Sequence, residues 1–165
     1  MSAGFSHESA NNISVEWYTP PWIFEALKLE FDLDPCQPVG GIDWIPAKHY
    51  YSIEDDGLSW TWDGLVWLNP PYGKHTKDWL KKMHHHRNGV ALVFARTDCG
   101  WFHDYCSKAD AILFLQGRVR FIDAQNATSK SGPGSGSMLI AWGEESVAAL
   151  SKNKHLGLFI KLGQT

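Results

Sequence analysis

The sequence predicts an α/β fold: a mostly parallel sheet with helices on both faces, built as one domain. Short apolar runs alternate along the chain with segments whose apolar residues recur at helical spacing, the pattern of strands joined by helical crossovers. A length of 165 residues fits one domain. A hydrophobic content of 44%, with nine Trp, suffices for a sizeable core.

The elements are expected in the following order. Residues 1–15 form a flexible arm, and residues 16–165 the single domain. Thr19 caps a helix that opens on Pro20 and Pro21, since proline is tolerated in a first turn. Trp22, Ile23, Ala26 and Leu27 give that helix a buried face, and it ends near Glu30. Phe31 to Asp34 is a short strand stopped by Pro35, and residues 35–48 are loop, broken by Pro38, Gly40, Gly41 and Pro46. A strand around His49 to Ser52 leads into the acidic loop Glu54 to Gly57 and then the apolar run Leu65 to Leu68.

Lys74 to Arg87 is a helix with Trp79, Leu80 and Met83 on its apolar side. Val90 to Ala95 is a buried strand, and Cys99 to Lys108 a helix that buries Trp101, Phe102 and Tyr105. Ile112 to Leu115 is a strand that Val119 to Phe121 extends or pairs with. The Ser-, Gly-, Asn- and Lys-rich stretch Asp123 to Ser137 lacks periodicity and is expected to be a mobile loop. Met138 to Trp142 is a strand, Glu144 to Ser151 a short helix, and Leu156 to Leu162 a final strand.

Composition narrows the functional classes. No apolar stretch reaches the 18 or so residues of a membrane span, and the polar start from Met1 to Asn12 does not resemble a signal peptide, so a cytoplasmic protein is expected. The odd set Cys36, Cys99 and Cys106 fits no disulfide framework or zinc spacing, and no metal is called for. His84-His85-His86 points its rings in different directions on a helix, which also argues against a metal site. A net charge of −3 and a pI near 6.2 mean that any nucleic-acid site must be a local basic patch.

Chemistry concentrates in Asn69-Pro70-Pro71-Tyr72, directly after the apolar run Leu65 to Leu68 and before Gly73. Two consecutive prolines fix the backbone and remove two amide donors, leaving the Pro70 carbonyl as an acceptor. Asn69 supplies a second acceptor through its side-chain oxygen. An amine conjugated to a purine ring is a poor nucleophile because its lone pair is delocalised. Two acceptors on its hydrogens draw the nitrogen toward a tetrahedral shape and make the lone pair available to an electrophilic methyl. Tyr72 offers a face on which the base can stack, an interaction of about 1–3 kcal/mol. A plain strand-terminating turn is the alternative reading of the same four residues.

Several ordered motifs together resemble the phage-type DNA N-6-adenine methyltransferases, small Dam-type enzymes. They are Glu16-Trp17-Tyr18-Thr19-Pro20-Pro21, Phe31-Asp32-Leu33-Asp34-Pro35-Cys36, Trp67 through Gly73, and Ala95-Arg96-Thr97-Asp98, and they span most of the chain. The resemblance implies a Rossmann-like fold, S-adenosylmethionine as cofactor, adenine in DNA as substrate and, in biological terms, protection of phage DNA against restriction. It places catalysis at Asn69, Pro70, Pro71 and Tyr72. It places the methionine part of the cofactor against Tyr18, Thr19 and Pro20 and its ammonium group near Asp34, with Cys36 beside it as a further cofactor contact. The chain departs from the wider pattern where Gln37-Pro38-Val39 stands in place of an immediate glycine turn. Asn69 follows Asp34 so closely that the region between first strand and catalytic strand must be abbreviated. Within that region Asp55 and Asp56 are candidates for cofactor contacts, although an acidic surface turn is the commoner explanation of such a pair.

Lys74, Lys77, Lys81 and His84 or His85 recur at three- and four-residue steps, a cationic stripe suited to a phosphate backbone or simply to solvent. Arg118, Arg120 and Lys130 offer a second basic edge. Arg96, at the end of a strand, is a candidate for the target nucleotide or a phosphate, with an ion pair to Asp98 as the alternative. Trp17 and Trp67 are candidates to line the pocket. With no separate recognition domain, sequence specificity should be short or relaxed. Methylation of RNA adenine or protein glutamine, and a nucleic-acid-binding relative without activity, remain open alternatives.

Overall fold

A computed structural model describes residues 17–123 and 134–163. The expected arm at 1–15, Glu16 and the middle of the expected loop, including Lys130, lie outside the described residues. The strands are β1 (Trp17–Tyr18), β2 (Phe31–Asp34), β3 (Ala47–Tyr50), β4 (Val66–Leu68), β5 (Gly89–Phe94), β6 (Ala111–Leu115), β7 (Ile122–Asp123), β8 (Ser137–Trp142) and β9 (Gly157–Lys161). The helices are α1 (Pro21–Leu27), α2 (Thr76–His86), α3 (Gly100–Asp104) and α4 (Glu144–Lys152).

Seven strands form one mixed sheet in the order β3-β2-β4-β5-β8-β6-β9. The pairs β2–β3, β2–β4 and β4–β5 are parallel, whereas β8 runs antiparallel to both β5 and β6, and β9 antiparallel to β6. Five strands therefore share one direction, with β8 and β9 reversed. A separate two-stranded antiparallel ladder joins β1 to β7, setting Tyr18 opposite Ile122.

Strand alternation divides the core into two layers. Trp67, Val90 and Leu92 face Ile23, Phe24 and Leu27 of α1 and Ala149 and Leu150 of α4. Val66, Leu68, Ala91 and Val93 face Leu80 and Met83 of α2 and Cys106 near α3. Helices thus cover both faces, and β4 is buried on both, as expected of a central parallel strand.

The abbreviation lies in the crossovers. Residues 35–46 and 51–65 connect β2 to β3 and β3 to β4 without a helix. Side chains brace the second of these segments instead. Trp62 stacks on Trp79 of α2 with centroids 6.2 Å apart, and Lys82 donates to the carbonyls of Leu58 and Trp60. His86 bonds the Gly64 carbonyl at 2.7 Å, so α2 holds the returning segment against the sheet.

Several element boundaries differ from expectation. Thr19 does not cap α1: Pro20 occupies the cap position without a side-chain bond, and the helix ends at Leu27 because Lys28 turns left-handed at φ 51°. α2 begins at Thr76, leaving Lys74 in the preceding turn. The expected helix to Lys108 breaks at Tyr105 into α3 and a single 3-10 turn, Cys106–Lys108. β3 starts at Ala47 because its register pairs Ala47 with Phe31. Val119 to Phe121 form no strand; Val119 and Phe121 are buried in the core, and pairing resumes at Ile122.

Candidate active site

β2 pairs with β3 on one side and β4 on the other, so the chain reverses its order of assembly between β2 and β4. Open α/β sheets bind ligands in the crevice at such a switch point, outside the carboxyl ends of the strands. Asp34 ends β2 and Asn69 follows β4, which places the two residues at the flanks of that crevice.

The Asn69 turn is held from both sides. The Asn69 amide nitrogen donates to the Trp17 carbonyl and to Thr19 Oγ1, each at 3.3 Å. A carbonyl can only accept, so the nitrogen faces Trp17 and the side-chain oxygen is turned away from it. Thr76 Oγ1 donates to the Pro71 carbonyl at 2.9 Å and accepts from the Gly73 amide at 3.0 Å. Among the described residues no donor reaches the Pro70 carbonyl, which is left as the turn's open backbone acceptor.

Tyr72 lies flat against Phe94, with centroids 4.1 Å apart and an interplanar angle of 19°. Its hydroxyl accepts the Phe94 amide at 2.7 Å, and burial raises the phenol above its ordinary range, so it stays neutral. The side chain is nevertheless 38% exposed, leaving ring surface open to a ligand. The Arg96 guanidinium lies 5.7 Å from the centre of the Phe94 ring. Arg96 is exposed and makes no ion pair with Asp98 or any other carboxylate among the described residues.

On the other flank, Asp34 is buried at 2% exposure. Burial raises its carboxyl to about 7, partly offset by hydrogen bonds from the Cys36 amide at 3.0 Å and the Gln37 side chain. Among the described residues no Lys, Arg or His pairs with it. Gln37 takes the structural part of the absent glycine turn, its side-chain oxygen accepting the Ile42 amide at 2.9 Å. Gly41 adopts φ +74°, and a Cβ there would lie 2.9 Å from the Tyr50 ring. Burial and the adjacent Asp34 push the Cys36 thiol well above its ordinary range, so it is an uncharged neighbour rather than a nucleophile.

Tyr18 packs edge-on against Trp44, whose indole donates to the Thr19 carbonyl at 2.9 Å. The 17–20 segment is therefore tied both to the Asn69 turn and to the loop that follows Asp34. Pro20 and Thr19 are buried, and the Thr19 hydroxyl is engaged with Asn69 rather than with the helix end.

The remaining candidates lie on exposed ground. Asp56 sits in an exposed turn at φ 56° and accepts the Ser59 hydroxyl at 2.6 Å, while Asp55 accepts the Ser52 amide at 2.8 Å. Lys74, Lys77, Lys81 and His85 are exposed, the first in the turn before α2 and the others on the helix. His84 turns inward, accepting the Trp142 indole at 3.4 Å with its charged form disfavoured by burial. Arg118 and Arg120 are exposed beyond the end of β6, which runs in the same direction as β5. Trp67 does not line the crevice: it is fully buried, 4.7 Å from Phe24 and 5.6 Å from Phe31.

Trp17 was expected near the pocket, though not through its carbonyl, and four further contributors, Thr76, Phe94, Gln37 and Trp44, went unrecognised in the sequence. Thr76 is the first residue of α2, and its hydroxyl turns back onto the Pro71 and Gly73 backbone instead of capping the helix, whose cap position is His75. Phe94 is an aromatic residue at the end of a strand, but nothing local announces its contact with Tyr72. The Trp17 carbonyl, Gln37 and Trp44 act through contacts made only in the folded chain.

Fold and site together describe an α/β protein with a switch point between β2 and β4 and, beside it, a rigid turn that carries an open backbone acceptor and a partly exposed aromatic ring. The family model described as DNA N-6-adenine-methyltransferase (Dam) matches residues 8–156, and the chain belongs to that family. By family it is a transferase of the DNA adenine methyltransferase kind, with DNA as its substrate. Neither the curated proteins nor the solved structures contain a match. No helix among the described residues is long and apolar enough to cross a membrane.

Proposed function

We propose that the chain transfers a methyl group from S-adenosylmethionine to the exocyclic amine of an adenine flipped out of DNA. One observation carries this reading: the Asn69 amide nitrogen is engaged by Trp17 and Thr19, which turns its oxygen away from them, and among the described residues no donor reaches the carbonyl of the next residue, Pro70. Two neutral acceptors then meet the two hydrogens of the amine. They draw its lone pair out of the ring and stabilise the positive charge that grows on nitrogen. Tyr72 stacks on the base, which must leave the duplex because its amine cannot reach a crevice while paired and stacked.

The cofactor residues fit their ligand on the chemistry of Asp34. A buried carboxylate without a cationic partner is costly, and the ammonium of a bound methionine moiety supplies that partner. Tyr18, Thr19, Pro20 and Cys36 are assigned to the rest of the cofactor, supported by the ties of the 17–20 segment to Asn69 and Trp44, and Asp56, in an exposed turn, is assigned a more distant contact. The cofactor, when bound, would supply a methyl on a positively charged sulfur; the amine nitrogen bonds that methyl as the S–C bond breaks, the sulfur leaves as a neutral thioether, and the surplus proton on nitrogen passes to solvent, so neither a metal nor a strong base is needed. Lys74, Lys77, Arg96 and Arg118 offer positive charge to the phosphates around the target nucleotide.

The test is transfer of a labelled methyl group from S-adenosylmethionine to unmethylated plasmid DNA, with nucleoside mass spectrometry of the digest. N6-methyladenine should form, and Asn69→Ala should lower its rate roughly 100-fold or more, the scale for losing one preorganised transition-state hydrogen bond. A wild-type chain that binds the cofactor yet leaves DNA unlabelled would overturn the reading and direct the search to RNA or protein acceptors.

A further inference from the structure

The Tyr72 ring does not stand alone at the mouth of the crevice. The β4–β5 ladder ends where Leu68 pairs with Ala91, so the later residues of β5 have no strand on that side. The Ala95 amide bonds the Gly136 carbonyl at 2.8 Å, toward β8, and the preceding Phe94 amide faces the opposite way. The Tyr72 hydroxyl takes that amide at 2.7 Å, occupying the place a β4 carbonyl would hold. Hydroxyl bond and ring stack together fix both ends of the Tyr72 side chain on one residue. Phe121 packs edge-on against Phe94 at 6.3 Å and braces it from the core.

We propose that Phe94 is a positioning residue for base capture: it backs the Tyr72 ring and presents its outer face, already flat and desolvated on the inner side, to the flipped adenine. This rests on the reading of Tyr72 as the stacking residue. A tyrosine free to rotate would have to be ordered as the base arrives, at a side-chain entropy cost. Held against Phe94 in advance, the ring presents its outer face without that cost. The Tyr72 hydroxyl thus acts on the substrate only through the pose of its own ring.

The test uses the full chain with cofactor and a DNA duplex carrying 2-aminopurine at the target position, whose fluorescence rises when it leaves the stack. Phe94→Leu keeps an apolar side chain but removes the backing ring, and Tyr72→Phe keeps the ring but removes its anchor. Both should bind S-adenosylmethionine like wild type, show a reduced fluorescence rise, and lose about tenfold in kcat/KM for DNA, within the range of one base–aromatic stack. Should Phe94→Leu fail to fold, Tyr72→Phe reads the same contact. Wild-type fluorescence and kcat/KM in a folded variant would overturn the proposal. A wild-type chain without methyl transfer to DNA would instead overturn the reading on which it rests.

Discussion

Asp34 makes the site's dependence on protons explicit at the scale of one residue. Its carboxyl is raised to about 7 by burial, against roughly 3.9 in an unfolded chain. The folded state therefore holds a proton that the unfolded state has released between those two values. Keeping that carboxylate charged without a partner lowers stability progressively as pH rises through this window, with the full penalty present above about 7. A ligand ammonium reverses the balance, because it needs the ionised form. S-adenosylmethionine affinity should consequently be level above about pH 7.5 and fall by up to tenfold per unit as pH drops below 7. Calorimetric titrations at pH 6 and pH 8 decide this. Asp34→Asn should bind weakly at both values, and a wild-type affinity independent of pH would remove Asp34 from the ammonium site.

At the scale of elements, α2 serves two faces at once. Its inner side carries Leu80 and Met83 into the core, while Trp79 and Lys82 hold the helix-free crossover. Its outer side, with the turn before it, presents Lys74, Lys77, Lys81 and His85 to solvent. None of the three lysines pairs with a carboxylate among the described residues, so their charge is available to a phosphate backbone. Each phosphate-contacting lysine adds about one unit to the slope of log affinity against log salt. The double variant Lys74→Ala/Lys77→Ala should thus flatten that slope by about two units and weaken all DNA sequences alike. Fluorescence anisotropy across a salt series measures it, and an unchanged slope would make the stripe an ordinary solvated face.

These elements also show what the sequence could tell. β2, β4, β5, β6 and β8 were legible because buried strands read as short apolar runs. The Asn69 turn was legible because its prolines and asparagine carry their chemistry locally. The β1–β7 ladder was not, since two-residue strands have no periodicity. Neither was the split after Asp104, where burial of Cys106 governs the backbone more than helix propensity does. Trp67 was misplaced because adjacency to the motif suggested the crevice, whereas strand alternation turns its side chain to the α1 layer.

For the whole molecule, the unequal treatment of the crossovers sets where order is supplied by the fold and where a ligand must supply it. The β4–β5–β8–β6 centre is buried from both sides and carries both cores. Residues 35–46 have no helix of their own: only Ile45 is buried in the core, and the rest is held by turn bonds, by the Gln37 amide on the Tyr51 carbonyl, and by the side-chain bonds of Gln37 to Ile42 and Trp44 to Thr19. Segments with few packed contacts open at low free energy, whereas the core opens only globally. This weaker segment begins at the Asp34 flank of the crevice, so bound cofactor should stabilise it preferentially. Native-state hydrogen exchange with and without S-adenosylmethionine gives the measure. Amides of residues 35–46 should gain protection beyond the common increase seen in β5 and β8. A uniform rise across the molecule would mean that the cofactor stabilises the fold globally and that this crossover is already set before it binds.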